Sequence, residues 1–186
     1  MGDDILYKEK DFVFSYRVGG ILIHDGRILL QKPLNDDYSI IGGHVAAMET
    51  TAETLKREFA EELHADVEVG EMMAVGEIFF PWGSRPCHQI SLYYRVALTD
   101  SAAIPLDGSF FGYDDLDNQR INLEYCWVPL EQLTQIVVYP QELIPHILSD
   151  RKDVLHFISN QILETRNECA DFNGKSPAPW QYCRDV

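Results

Sequence analysis

Apolar positions crowd into two runs near the start of the chain, FVFSYRVGGILIH (Phe12 to His24) and RILLQKP (Arg27 to Pro33), with Asp25-Gly26 between them. Both runs are rich in β-branched and aromatic residues, and Asp-Gly readily takes the positive φ angles of a tight hairpin turn. This predicts a β-hairpin. An extended stretch, YSIIGGHV, follows, and its Gly42-Gly43 pair permits a sharp turn or a close approach of the backbone to another group. The period then changes. From Thr50 to Leu63 apolar residues recur every three or four positions, at Ala52, Leu55, Phe59 and Leu63, and Thr50 stands at capping-box spacing from Glu53. A helix with that stripe turned to the core is expected.

Farther on, VEVGEMMAVGEIFF (Val67 to Phe80), CHQISLYYRVAL (Cys87 to Leu98) and the shorter EYCWVPL read as strands, with a Gly/Asp-rich loop from Asp107 to Asn118 before the last of them. PQELIPHIL and DVLHFISNQIL read as helices. Periodicity fades from about Asn167, so residues 1–166 are expected to form one domain. Residues 167–186 read as a tail, with Trp180 and Tyr182 as the residues to dock it on the body or on a partner. Strands before, around and after one strong helix predict an α+β sandwich in which helices cover a mixed sheet.

Composition narrows the class. A chain of 186 residues, 46% of them hydrophobic, buries one ordinary core without help from disulfides. The net charge of −15 repels a polyanion, so no extended nucleic-acid partner is expected. A small phosphorylated ligand is compatible with that charge, because a bound divalent cation reverses the local field in an acidic pocket. Cys87, Cys126, Cys169 and Cys183 are dispersed and form no C-x-x-C pair, which suits reduced thiols and a cytoplasmic location. The start, MGDDILYKEK, lacks the pattern of a secretory signal, and no apolar run reaches membrane-spanning length, so no membrane association is expected.

The chemistry concentrates in GHVAAMETTAETLKREFAEELHA, from Gly43 to Ala65. On the expected helix, Glu58, Glu61 and Glu62 share one face at the edge of the buried stripe. Like charges at this spacing cost a helix about 0.2–0.5 kcal/mol per pair, so a compensating positive charge is called for. Arg57 supplies part of it. Mg²⁺, which prefers hard oxygen ligands, would supply the rest.

The segment resembles the Nudix box, Gly-x₅-Glu-x₇-Arg-Glu-U-x-Glu-Glu-x-Gly-U with U a bulky apolar residue. Gly43, Glu49, Arg57, Glu58, Phe59, Glu61 and Glu62 fall in place. Setting Phe59 aside, chance agreement at the fixed positions in a chain of this composition is on the order of 10⁻⁵. His64 replaces the second Gly of the pattern, and Ile41 stands where a Pro often precedes the Gly-Gly pair. Similarity to the Nudix family extends over roughly residues 12 to 137.

The resemblance implies a Nudix-type α/β/α sandwich. It implies Glu58 and Glu62 as direct ligands of Mg²⁺, with Mn²⁺ as a substitute, Glu61 binding the metal directly or through water, and the Gly43 carbonyl completing the shell. Glu49 and Arg57 would brace the loop and helix. The implied reaction is hydrolysis of a phosphoanhydride bond in a small nucleoside diphosphate-linked compound, such as a nucleotide, nucleotide sugar or ADP-ribose-like molecule, by a metal-activated water. Glu61 is the first choice of base, with Asp114, Asp115 and Glu124 as competitors.

Arg17 is a candidate phosphate contact, and His88 with Gln89 a candidate pocket lining. One or two of Phe79, Phe80, Trp82, Phe110, Phe111 and Tyr113 would stack on a base. A homodimer is the family's ordinary expectation. Two alternatives stand beside hydrolysis: a Nudix-fold module that binds nucleotide without cleaving it, normally marked by loss of a box carboxylate, and an isopentenyl diphosphate isomerase-like activity, which needs a facing cysteine and glutamate.

Overall fold

The computed structural model describes residues 2–33, 36–116, 119–149 and 151–162. Its elements, in chain order, are β1 (Leu6–Lys8), β2 (Val13–His24), β3 (Arg27–Pro33), β4 (Tyr38–Ser39), α1 (Thr51–Leu63), β5 (Val67–Trp82), β6 (Arg85–Leu98), β7 (Ser109–Leu116), β8 (Gln119–Pro129), β9 (Val138–Tyr139), α2 (Ile144–Ile147) and β10 (Leu155–Asn160). The strands form a mixed sheet in the order β10-β5-β6-β2-β3-β4-β9, with β1 added on β2 and the β7–β8 hairpin added on β3 through β8.

The expected hairpin is present, with Asp25 at φ 45° and Gly26 at φ 71°. Its strands stay paired only at Ile23–Ile28 and His24–Arg27. Upstream of that point β2 runs parallel to β6, from Val13 beside Cys87 to Leu22 beside Val96. The other edge of β2 is shared out in succession. β1 takes Val13–Ser15, the Gly42-Gly43 segment takes the middle through bridges Arg17–His44 and Gly20–Ile41, and β3 takes the end.

Strand alternation sends Val18 and Leu22 to one face and Ile21 to the other, and each face carries its own core. On the first, Leu55, Phe59 and Leu63 of α1 pack against Val18, Leu22, Tyr125 and Trp127. Gly20 permits that approach, since a Cβ there would lie 2.7 Å from the Phe59 ring. On the second, Leu143, Ile144 and Ile147 cover Ile21, Ile78 and Phe157. The layered α+β sandwich therefore holds; among the described residues it has one long helix, α1, on one face and α2 with the turn before it on the other.

Three expectations change. The stretch Asp107 to Asn118, read as a loop, contains β7, because its backbone pairs antiparallel with β8 from Ser109 beside Cys126 to Leu116 beside Gln119. PQELIPHIL forms a 3₁₀ turn, Gln141–Leu143, followed by the short α2. DVLHFISNQIL contains a strand where a helix was expected: β10 lies parallel to β5, with Phe157 and Ser159 buried and His156 and Ile158 exposed. The spacing of Leu155, Ile158 and Ile162 imitated a helical stripe, but pairing with the β5 edge prevailed. The proposed tail lies outside the described residues. No helix among the described residues is long and apolar enough to cross a membrane.

Candidate active site

The Gly43–Ala65 segment folds as a loop and a capped helix. Thr50 Oγ1 accepts from the Glu53 N–H at 3.2 Å, while Glu53 Oε2 accepts from the Thr50 N–H at 2.8 Å, closing the capping box. At the far end His64 takes the left-handed conformation itself, φ 54° and ψ 34°, and the Ala65 N–H returns to the Phe59 carbonyl at 3.2 Å. A histidine thus ends the helix in the geometry that glycine usually provides.

Arg57 is the hub. Its Nε donates to both Glu49 oxygens at 3.2 Å, Nη1 to Glu58 Oε1 at 2.7 Å and Glu61 Oε2 at 3.0 Å, and Nη2 to the His44 carbonyl at 3.2 Å. Burial opposes its charge, but ion pairs with Glu58, Glu61 and Glu49 raise its pKa above the ordinary arginine value. Thr54 Oγ1 also donates to Glu49, at 3.0 Å, so Glu49 ties the loop to the helix from two sides.

The three helix carboxylates are not equivalent. Glu61 is exposed, whereas Glu58 is largely buried, and its burial raises its pKa despite the opposing charges of Arg57 and Arg17. Glu58 also packs directly on Gly43: a Cβ at position 43 would lie 2.1 Å from its carboxyl carbon. Glu62 is 7% exposed and accepts from the Tyr125 hydroxyl at 2.9 Å, on the side of β8. Tyr125, fully buried on β8, had no marker in the sequence that would have tied it to the box.

Arg17 reaches the same place. Its Nη2 donates to the Gly42 carbonyl at 2.6 Å, and the neighbouring Gly43 carbonyl accepts from the Val18 N–H at 3.0 Å. His44 and Asp4 border this group, with His44 Nδ1 3.9 Å from Asp4 Oδ2. Burial, helped by Arg17 and Lys8, lowers the His44 pKa to about 3, so its ring is neutral near pH 7.

His88 is set apart. It neighbours Phe14 on β2, on the opposite face from Arg17, and its ring stacks on Phe79 at 4.4 Å with Phe14 edge-on at 5.9 Å. Gln89 bridges Ser15 and Ser91 on the Arg17 face. Phe80 and Trp82 contact each other, Phe110 stacks on Tyr125, and Phe111 is 77% exposed. Glu124 lies beside the Cys126 thiol, which burial and Glu124 raise in pKa. The side chains of Tyr113, Asp114 and Asp115 lie outside the described residues.

A NUDIX domain family model matches residues 14–147. The chain belongs to the NUDIX domain family. Solved Nudix structures share its fold. A NUDIX hydrolase from Nitrosomonas europaea is 17% identical with a TM-score of 0.51, covering 83% of this chain and 82% of its own. A MutT NUDIX hydrolase from Burkholderia pseudomallei is 18% identical with a TM-score of 0.53, covering 73% and 98%. A UDP-X diphosphatase is 15% identical with a TM-score of 0.51, covering 81% and 68%. No curated protein matches the chain at a significant level.

Nudix hydrolases generally use divalent metal ions. Among the described residues no three His, Cys, Asp or Glu side chains stand together as a metal-binding group, since Arg57 holds Glu58 and Glu61 while Tyr125 holds Glu62. The donor chemistry nevertheless suits such an ion. The oxygens of Glu58 and Glu61 already flank one positive charge, the Arg57 Nη1, and carboxylate oxygens are the ligands that hard cations prefer.

Proposed function

We propose that this Nudix hydrolase cleaves a phosphoanhydride bond in a small nucleoside diphosphate-linked compound, with Mg²⁺ or Mn²⁺ held by Glu58, Glu61 and Glu62. The observation that carries this reading is the pair of carboxylates, Glu58 and Glu61, converging on one cationic point beside the Gly42-Gly43 turn. When bound, the metal neutralises phosphate charge and acidifies a water.

The protein's own residues divide the remaining work. Glu49 and Thr54 anchor Arg57, and Arg57 orients Glu58 and Glu61. Tyr125 holds the Glu62 carboxylate from β8. Glu61, the most exposed of the three acids, would accept a proton from water, and Arg17, beside Gly42, would grip a phosphate oxygen. The backbone carbonyl of Gly43 accepts from Val18, leaving one lone pair for a further contact. Recognition is local, because a charge of −15 offers no basic track for a long phosphate backbone.

The deciding experiment assays nucleoside di- and triphosphates, nucleotide sugars, ADP-ribose, dinucleoside polyphosphates and a capped RNA with Mg²⁺ and with chelator. Chelator-sensitive cleavage of a small compound, lost in both Glu61→Gln and Glu62→Gln, is expected. Near-parental turnover in both variants refutes the assignment of the acids, and preference for the long RNA refutes the substrate class. Binding of a compound without cleavage supports a nucleotide-holding module instead.

A further inference from the structure

The family match begins at residue 14, yet the residues before it reach the box. Asp3 to Ile5 lie along the loop between Gly43 and α1. The Ala47 N–H donates to the Asp3 carbonyl at 2.8 Å, the Ile5 N–H donates to the Val45 carbonyl at 2.8 Å, and Asp4 bridges Ala46 in antiparallel register. Ile5 is fastened in turn, since its carbonyl accepts from the Tyr16 N–H at 3.1 Å and its side chain packs on the core beneath α1. Gly2 continues the apposition so closely that a Cβ there would lie 2.5 Å from the Ala47 carbonyl oxygen. The loop segment Val45 to Ala47 is thereby clasped between β2 and the N-terminal residues, because the Val45 N–H donates to the Tyr16 carbonyl at 2.9 Å on the other side.

What this clasp restrains is the approach to Glu49. Met48, just beyond Ala47, is fully exposed and carries φ 72°, a conformation that a non-glycine residue holds only under restraint. Glu49 follows and anchors Arg57, which in turn orients Glu58 and Glu61. Asp4 adds charge at the same border: burial raises its pKa, opposed by Arg57 and Arg17.

We propose that Asp3–Ile5 form a positioning arm that acts through the backbone of Val45–Ala47 to set Glu49, and through Glu49 and Arg57 the box carboxylates. Its effect on metal binding and turnover rests on the function proposed above; its effect on the loop does not. The arm acts through the backbone of Val45–Ala47, so its residues are positioning residues. Loosening it frees the loop without opening the core, as contacts around a metal site commonly tune affinity by orienting the ligands.

The test uses the full chain with three changes: deletion of Gly2–Asp4, Ile5→Pro, which removes the N–H bonded to Val45, and Ile5→Val, which keeps it. Residue-resolved amide exchange is measured without metal, Mn²⁺ affinity by direct titration, and kcat and KM on whichever small diphosphate compound the parent cleaves. In the deletion and Ile5→Pro variants the Ala47 amide is expected to exchange at least about tenfold faster, while Val45, bonded to Tyr16, stays protected. The Mn²⁺ Kd rises and kcat falls about tenfold, with KM nearly unchanged. Ile5→Val restores all of these.

Unchanged Ala47 exchange in both disrupted variants overturns the arm. So does faster exchange with parental Mn²⁺ affinity, because the clasp then holds the loop without positioning the acids. If Ile5→Pro unfolds, the deletion variant, which retains the Ile5 side chain, decides. If the parent cleaves no diphosphate compound, the functional reading fails, while Ala47 exchange still decides whether the arm holds the loop.

Discussion

Gly42 and Gly43 are adjacent, but an added methyl group at each meets a different obstacle. At Gly43 the new Cβ would lie 2.1–2.3 Å from the carbon and both oxygens of the Glu58 carboxyl group. Ordinary contact begins near 3.4 Å, so the carboxyl group must retreat by more than about 1 Å. It is the far end of a flexible side chain, so rotation about its own bonds takes up the retreat at the expense of the Arg57 contact while the backbone stays in place. Misplacement of a reacting group by about 1 Å costs on the order of 100-fold in rate.

Gly43→Ala is therefore expected to reduce kcat about 100-fold while the melting temperature moves by only a few degrees. At Gly42 the Cβ would lie 2.1 Å from the Val18 carbonyl oxygen and 2.9 Å from the Gly19 Cα, both backbone atoms that cannot swing away, and φ is 154°. Gly42→Ala is expected to lose several kcal/mol of stability before catalysis is measurable. Thermal melts and steady-state kinetics on the two variants separate the cases. A Gly43→Ala protein with parental kcat, or one that melts as early as Gly42→Ala, refutes the packing of Glu58 on the Gly43 backbone as the determinant of its position.

Other expectations concern the core, the cation and the helix start. Phe59→Ala removes a ring that is fully buried beneath α1 and is expected to cost about 3–5 kcal/mol, a fall of roughly 10 °C in melting temperature; an unchanged melt would place the ring elsewhere. Mg²⁺ or Mn²⁺ is expected to raise the melting temperature of metal-stripped protein, and to raise that of Glu58→Gln less, so an equal shift in both would locate the cation away from Glu58. Thr50→Ala breaks the capping box and is expected to cost about 1 kcal/mol by denaturant titration, while a loss below about 0.3 kcal/mol would show that the cap contributes little.

Local signals carried much of this architecture. Asp25-Gly26 marked its hairpin, Thr50 and Glu53 marked the helix start, and the 3.6-residue stripe through Leu55 and Phe59 marked the buried face, because each of these is decided by neighbours in the chain. What escaped was decided at a distance. Leu155 to Asn160 reads as helix, and only the β5 edge, far away in sequence, makes it a strand. The Phe110 segment reads as a loop until β8 folds back on it. In the site, the box spacing brought forward Glu49, Arg57 and the three helix acids, but not their differing environments. The buried bond from Tyr125 to Glu62 and the contact of Asp4 with the box border join residues far apart in sequence, and no local pattern announces such pairs.

The parallel pairing of β2 with β6 also constrains the order in which this protein is assembled. Residues 13–22 find their partners only at 87–96, and β5 gains its outer neighbour only when residues 155–160 are available. Such pairings demand closure of long loops before they return any stabilisation, which makes for slow folding. During synthesis the box helix leaves the ribosome before the strand that completes the sheet beneath it. Until then the apolar side of α1, with Leu55 and Phe59, has only an incomplete surface to rest on. That interval is when the nascent chain is most exposed to misassembly.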